Sequence, residues 1–313
     1  MNAEIYTALQ LSNADYHAAH GLSSTALKEL VQRSPAHCRA LMDGLRRKTS
    51  DSMDLGTVVH SAVLEPDTFW DLYWLAPAKA DHPEALDTVA DYRNACDYFG
   101  ADYKAKDTKA ALRAALEGID APVAFWEDLK TCPDGKSEIT RHQFDVASGI
   151  SGAIRETPDA ADLFSAGDPE VSFFALDEPT EVVVKARADC YLEKQGMVVD
   201  LKTCEDARPH AVQRAIVNYG YDLSAAMYLD VIGRAGMSAE SFVWVFAETA
   251  PPYAIRVYVA SSDMLEQAHA RYRAGLEQFA WCRDTDSWPG YEGAAQVIDL
   301  PAWAKKSTDS EVV

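Results

Sequence analysis

The segment from residue 180 to residue 203 constrains the fold more than any other part of the chain. Thr180 to Leu192 is rich in β-branched residues, Gln195-Gly196 is a turn signal, and Met197 to Thr203 is a further apolar run. Two such runs joined by a short glycine-containing turn predict an antiparallel hairpin. Charges interrupt both strands. The first carries Lys185-Ala186-Arg187-Ala188-Asp189; after ten intervening residues the second carries Asp200-Leu201-Lys202-Thr203. In a hairpin Asp189 and Asp200 sit side by side, and Asp200 and Lys202, two residues apart, point to one face. Burying two carboxylates and an ammonium without partners is costly.

A salt bridge between strands would account for this triplet taken alone. A divalent metal accounts for it as well. Carboxylates and a backbone carbonyl are the hard oxygen donors that magnesium prefers. Such an ion acidifies a bound water and neutralises charge on a phosphodiester oxygen, and a neighbouring ammonium stabilises developing charge. The set suits hydrolysis of a phosphate diester and suits acyl or hydride transfer poorly.

The surroundings predict a mixed sheet flanked by helices. A strand is expected at Glu170–Leu176, ended by Glu178-Pro179, with others at Ser241–Glu248 and Tyr253–Val259. Helices are expected at Arg208–Asn218, Tyr221–Arg234 and Ser262–Cys282. The N-terminal third reads as helical, with Ser23-Ser24-Thr25 capping Ala26–Gln32, a restart at Ser34-Pro35 through Leu41, and a helix over Leu55–Leu64. Residues 81–131 read as surface helices, and 137–155 as one helix. No internal repeat or long linker is evident, so residues 1–306 are expected to form one domain. Its helical part would run to about 160 and its catalytic core over about 161–285, with an acidic disordered tail at 307–313.

Charge is the observation hardest to square with a phosphodiester substrate. The formal net charge of −20 should repel a polyanion. One stretch is basic: residues 28–48 carry Lys28, Arg33, Arg39, Arg46, Arg47 and Lys48 against Glu29 and Asp43. A solvated helix face explains that stretch as readily as a nucleic-acid contact. The six cysteines form no CxxC pair, which argues against a zinc site, an iron–sulfur cluster or a disulfide scaffold. The N-terminus lacks a secretory signal and no run is long enough to span a membrane, so a cytoplasmic setting without membrane contact is expected.

Val199-Asp200-Leu201-Lys202-Thr203, preceded by Arg187-Ala188-Asp189, resembles the core of the PD-(D/E)XK nuclease superfamily, whose fold is restriction-endonuclease-like. The run Asn218-Tyr219-Gly220-Tyr221-Asp222-Leu223-Ser224-Ala225-Ala226-Met227-Tyr228 is similar to the helix after that core in the exodeoxyribonuclease VIII family. Gly56-Thr57-Val58-Val59-His60 with Leu64-Glu65-Pro66 resembles that family's N-terminal signature, as do Ser23 to Lys28 and Ser34 to His37. Trp288-Pro289-Gly290-Tyr291 and Leu300-Pro301-Ala302-Trp303 resemble its closing segment.

The resemblance implies Asp189 and Asp200 as metal ligands, with the Leu201 carbonyl as a third and Glu170 completing the shell. It implies Lys202 as the catalytic lysine, His60 approaching the metal or the scissile phosphate, and Tyr228 positioning the nucleic-acid strand. Ser224 stands where the family usually has Gln, which puts the usual contact with Tyr228 in doubt. Arg187 either neutralises acids or touches phosphate.

The implied activity is a magnesium-dependent 5′-to-3′ exonuclease, with manganese as the alternative ion, acting on linear double-stranded DNA. Its 3′ tail would pass to a single-strand annealing protein for recombination, usually in a phage setting. A homo-oligomeric ring with its basic residues in the channel would reconcile the charge. Two readings stay open beside it: an endonuclease or single-strand nuclease of the same superfamily, and a non-catalytic acidic binding or inhibitory protein on the same fold.

Overall fold

The structure is a computed structural model that describes residues 3–45, 51–291 and 293–301, and of residues 51–54 the backbone alone. Arg46, Arg47, Lys48, Ala302, Trp303 and the acidic tail at 307–313 lie outside the described residues.

The chain opens with strand β1 (Glu4–Tyr6), helix α1 (Asn13–Ala18) and the two-residue strand β2 (Leu22–Ser23). Helices α2 (Ser24–Gln32), α3 (Pro35–Met42), α4 (Asp51–Leu64) and α5 (Phe69–Leu72) follow. An excursion is bracketed by β3 (Tyr73–Leu75) and β4 (Ser137–Ile139), which pair in parallel. It contains α6 (Val89–Phe99), α7 (Lys109–Glu117) and α8 (Trp126–Leu129). Tyr92, Cys96, Leu112, Leu116 and Phe125 give it a small core of its own. Helices α9 (Arg141–Glu156) and α10 (Pro158–Ala166) lead to the long strands β5 (Asp168–Asp177), β6 (Val182–Leu192) and β7 (Met197–Cys204). Then come α11 (Pro209–Tyr219), α12 (Tyr221–Arg234), β8 (Ser241–Glu248), β9 (Ile255–Val259) and α13 (Ser262–Thr285).

Seven strands form one mixed sheet in the order β1-β5-β6-β7-β8-β9, with β2 paired to β6. The expected mixed sheet flanked by helices is therefore present. β7 and β8 run parallel, and β5–β6, β6–β7 and β8–β9 run antiparallel. Strand alternation divides the apolar residues between two faces. On β8, Phe242, Trp244 and Phe246 join Leu27, Leu223, Met227 and Leu276 beneath α2, α12 and α13. Val243, Val245 and Ala247 join Val58, Val59, Val146 and Ile150 beneath α4 and α9. Each large buried side chain of this kind contributes about 2–3 kcal/mol.

The helical reading of the N-terminal third needs amending, because β1 pairs with β5 and β2 with β6 inside the main sheet. The helix expected from residue 137 starts later. Thr140 and Gln143 form a reciprocal capping box, which places the helix start at Arg141 and leaves 137–139 extended. Among the described residues no helix is long and apolar enough to cross a membrane, and all six cysteines are free thiols.

Candidate active site

The hairpin forms, and then it forks. β6 pairs with β7 only at Cys190↔Val199, Tyr191↔Val198 and Leu192↔Met197, next to the turn at Gly196. Beyond that point β7 continues beside β8 as far as Cys204, whereas β6 takes β2 as a neighbour at Val184 and Lys185. Continuing the register one step sets Asp189 across from Asp200, where the strands part. The ladder bond missing at the fork is replaced by a side chain: the Leu201 N–H donates to Asp189 Oδ2 at 2.7 Å. A buried backbone donor is thus satisfied by the carboxylate that the fork exposes.

Strict alternation fails at the same place. Val184, Ala186 and Ala188 belong to the core under α12, but Cys190 and Leu192 belong to the core under α4. Across on β5, Pro169 pairs with Cys190 and Val171 with Ala188, while Glu170 between them adopts φ +54°. A left-handed conformation costs a non-glycine residue about 1–2 kcal/mol. The paired slip at Glu170 and Asp189 re-aims both carboxylates, and the simple two-residue period of the sequence does not foresee it.

His60 on α4 completes this corner. His60, Glu170 and Asp189 offer ligand atoms that lie within 4.8 Å of one another. His60 Nε2 donates to the Leu201 carbonyl at 2.9 Å, and its Nδ1 lies 3.6 Å from Asp189 Oδ2. Asp200 lies outside this three-residue cluster, with its Oδ2 held 2.5 Å from Lys202 Nζ. Lys202 also donates to the Leu201 carbonyl at 3.2 Å. The carbonyl of Leu201 is therefore the hub on which His60 and Lys202 converge.

Electrostatics follow from burial and crowding. Burial, then the charge of Asp189, raises the pKa of both Glu170 and Asp200, against the opposing pull of Arg187 and Lys202. Burial works against the Lys202 ammonium, yet Asp200 and Asp189 outweigh it and hold its pKa well above the usual lysine value. Three crowded carboxylates and an inward carbonyl are hard donors, and a divalent cation relieves their mutual repulsion. The residues present fit a divalent cation, with His60 offering a nitrogen donor beside Glu170 and Asp189.

The residues expected to touch DNA fare differently. Tyr228 is brought to the acids: burial, then Asp200 and Asp189, pushes its hydroxyl up to about 12. Ser224 donates its hydroxyl at 3.4 Å to Gly220, one turn back in its own helical stretch. Arg187 is only 7% exposed and is spent on Glu170, Ser172 and the Leu11 carbonyl, so of its two readings the geometry matches the neutralisation of acids. In the basic stretch, Arg33 pairs with Glu29 and Arg39 with Asp43.

Sequence reading missed Tyr221, whose ring lies 5.5 Å from Lys202 Nζ and 5.8 Å from Lys28 Nζ. Its signal was its position, the first helical residue after the left-handed Gly220 cap and within reach of β7.

No curated protein matches the chain. A crystal structure from Eubacterium rectale, provisionally named an exonuclease, has a similar fold, with TM-score 0.55, 15% identity, and coverage of 93% of this chain and 96% of that one. A phage-related exonuclease from Haemophilus somnus 129PT aligns over 79% of this chain and all of its own, at 12% identity; its TM-score of 0.29 is too low to support an argument. Residues 23–301 match the family described as "PDDEXK-like domain of unknown function (DUF3799)", and with most of its length matched the chain belongs to that family.

Proposed function

We propose that this protein is a metal-dependent deoxyribonuclease, and specifically a 5′-to-3′ exonuclease of the exodeoxyribonuclease VIII kind. The observation that carries the reading is the gathering of Glu170, Asp189, Asp200, Lys202 and His60 around the Leu201 carbonyl, where the central hairpin forks. Asp189, Glu170, Asp200 and the Leu201 carbonyl would hold the ion, magnesium or manganese. The chemistry that such an ion supplies when bound is Lewis acidity toward a phosphodiester oxygen and a water.

The side chains set the rest. Lys202 sits as a fixed positive charge beside Asp200 and the Leu201 carbonyl, placed to balance charge that develops on the phosphate. His60 donates to the same carbonyl and keeps it turned into the site. Tyr228, on α12 and close to the acids, is suited to packing against a strand that enters the fork.

The direction of digestion, linear duplex DNA as substrate, transfer of the 3′ tail to a single-strand annealing protein, a ring-shaped homo-oligomer and a cytoplasmic setting rest on the motif resemblance. The test is digestion of linear and closed-circular duplex DNA carrying 5′ or 3′ labels, with and without magnesium. Metal-dependent release of the 5′ label from linear DNA alone is the expected result. Cutting of closed circles would replace it with the endonuclease reading.

A further inference from the structure

Lys185 and Arg187 point away from solvent into the N-terminal segment. Lys185, 4% exposed, donates to the carbonyls of Tyr16 (2.8 Å), His17 (3.3 Å) and Ala19 (2.6 Å), which are the open carbonyls at the C-terminal end of α1. Arg187 donates at 3.0 Å to the carbonyl of Leu11, just before the Ser12 cap at the opposite end of α1. Tyr16, projecting from that helix, lays its ring 5.0 Å from the Lys185 ammonium and 5.7 Å from the Arg187 guanidinium.

Two cations two residues apart on one strand, separated by about 6.6 Å, thus grip both ends of a helix about 9 Å long. Strand pairing of β1 with β5 and of β2 with β6 holds the flanks of the same segment. Arg187 also donates from Nη1 to the Ser172 hydroxyl at 2.8 Å and from Nε to one oxygen of Glu170. Glu170 is the residue held at φ +54°, and a carboxylate oxygen of it belongs to the cluster with His60 and Asp189.

We infer that Arg187 is a positioning residue for the metal centre, which aims Glu170 at the ion and is itself held in place by Ser172 and the N-terminal segment, rather than a contact to DNA phosphate. The inference rests on the proposed nuclease site and assigns this segment, far away in sequence, to that site's support. A planar guanidinium with several donors can hold a carboxylate, a hydroxyl and a carbonyl at once, and an ammonium cannot reproduce that fork.

The test is Mn2+ affinity, read by electron paramagnetic resonance of the free ion, on the full chain and on folded variants checked by circular dichroism. Wild type is expected to bind Mn2+, and Arg187→Gln to bind it roughly 10- to 100-fold more weakly, as for other supports of metal ligands. Arg187→Lys should recover only part of the loss. Ser172→Ala, which removes one anchor of the guanidinium and no charge, provides the measurement if Arg187→Gln does not fold, with an expected several-fold loss. DNA affinity without metal is measured beside it. Unchanged Mn2+ affinity in folded Arg187→Lys and Ser172→Ala, or a loss confined to DNA affinity, would overturn the inference. A wild-type protein that binds no Mn2+ would instead remove the metal centre itself, and the nuclease reading with it.

Discussion

Asp177 is the best place to test how the sheet is tied to α12 and α13. It lies at the end of β5, fully buried, and takes two hydrogen bonds from Arg273 on α13 at 2.7 and 3.1 Å. Arg234 on α12 lies 2.9 Å away, and Thr180 donates at 2.5 Å. Breaking a buried ion pair from one side costs about 3–5 kcal/mol. Arg273 and Arg234 retain 21% and 28% exposure, so the lower end, about 3 kcal/mol, is expected for Asp177→Asn. With a urea dependence of roughly 3 kcal/mol per molar, the unfolding midpoint should fall by about 1 M.

The pH dependence has a definite sign. Burial pushes the Asp177 carboxyl up, but Arg273, Thr180 and Arg234 outweigh it and hold the pKa below the usual carboxylate range. A depressed folded-state pKa contributes stability above the unfolded value, about 3.9, which is lost as pH falls through the folded pKa. The gap between wild type and variant should therefore be full from about pH 5 upward and close only in more acidic solution. A midpoint shift under about 0.3 M at pH 7, or a gap that widens on acidification, would refute the reasoning.

Further outcomes follow from the same geometry. Lys202→Met should fold and retain Mn2+ binding while DNA cleavage falls roughly 100- to 1,000-fold, measured by single-turnover digestion; cleavage within threefold of wild type would rule out its catalytic role. Tyr228→Phe removes the hydroxyl close to the acids and should weaken DNA affinity more than Mn2+ affinity, checked by titrating both ligands. Gly149→Ala would bring a Cβ to 2.2 Å from the Tyr253 ring, so a loss of about 1–3 kcal/mol is expected by urea denaturation, with cleavage kept at temperatures where the variant is folded.

Elements set by local chemistry were legible in the sequence. Gly220, at φ +61°, ends α11 and caps the start of α12, and Gly196, at φ +58°, turns the chain into β7; both boundaries fall where glycine and the apolar period place them. What was not legible depends on contacts between distant residues. β1 has three residues and forms only because β5 offers an edge. His60 meets the Leu201 carbonyl across 141 residues, and Arg187 meets Leu11 across 176. A strict two-residue period would put Asp189 on one strand face with Arg187 and Lys185 and misses the paired slip with Glu170, since only the neighbouring strand can absorb it. The carboxylates and lysine of the site were visible as a spacing, and their support was not.

The most direct measurement of the central claim is digestion of 5′-labelled linear duplex DNA in magnesium by wild type and by Asp200→Ala, each first shown to be folded. The expected result is label release by wild type that EDTA abolishes and the variant lacks. Folded wild-type protein that releases no label and cuts no DNA in magnesium or manganese would contradict the claim and turn the fork at Asp189 into a binding site rather than a catalytic one.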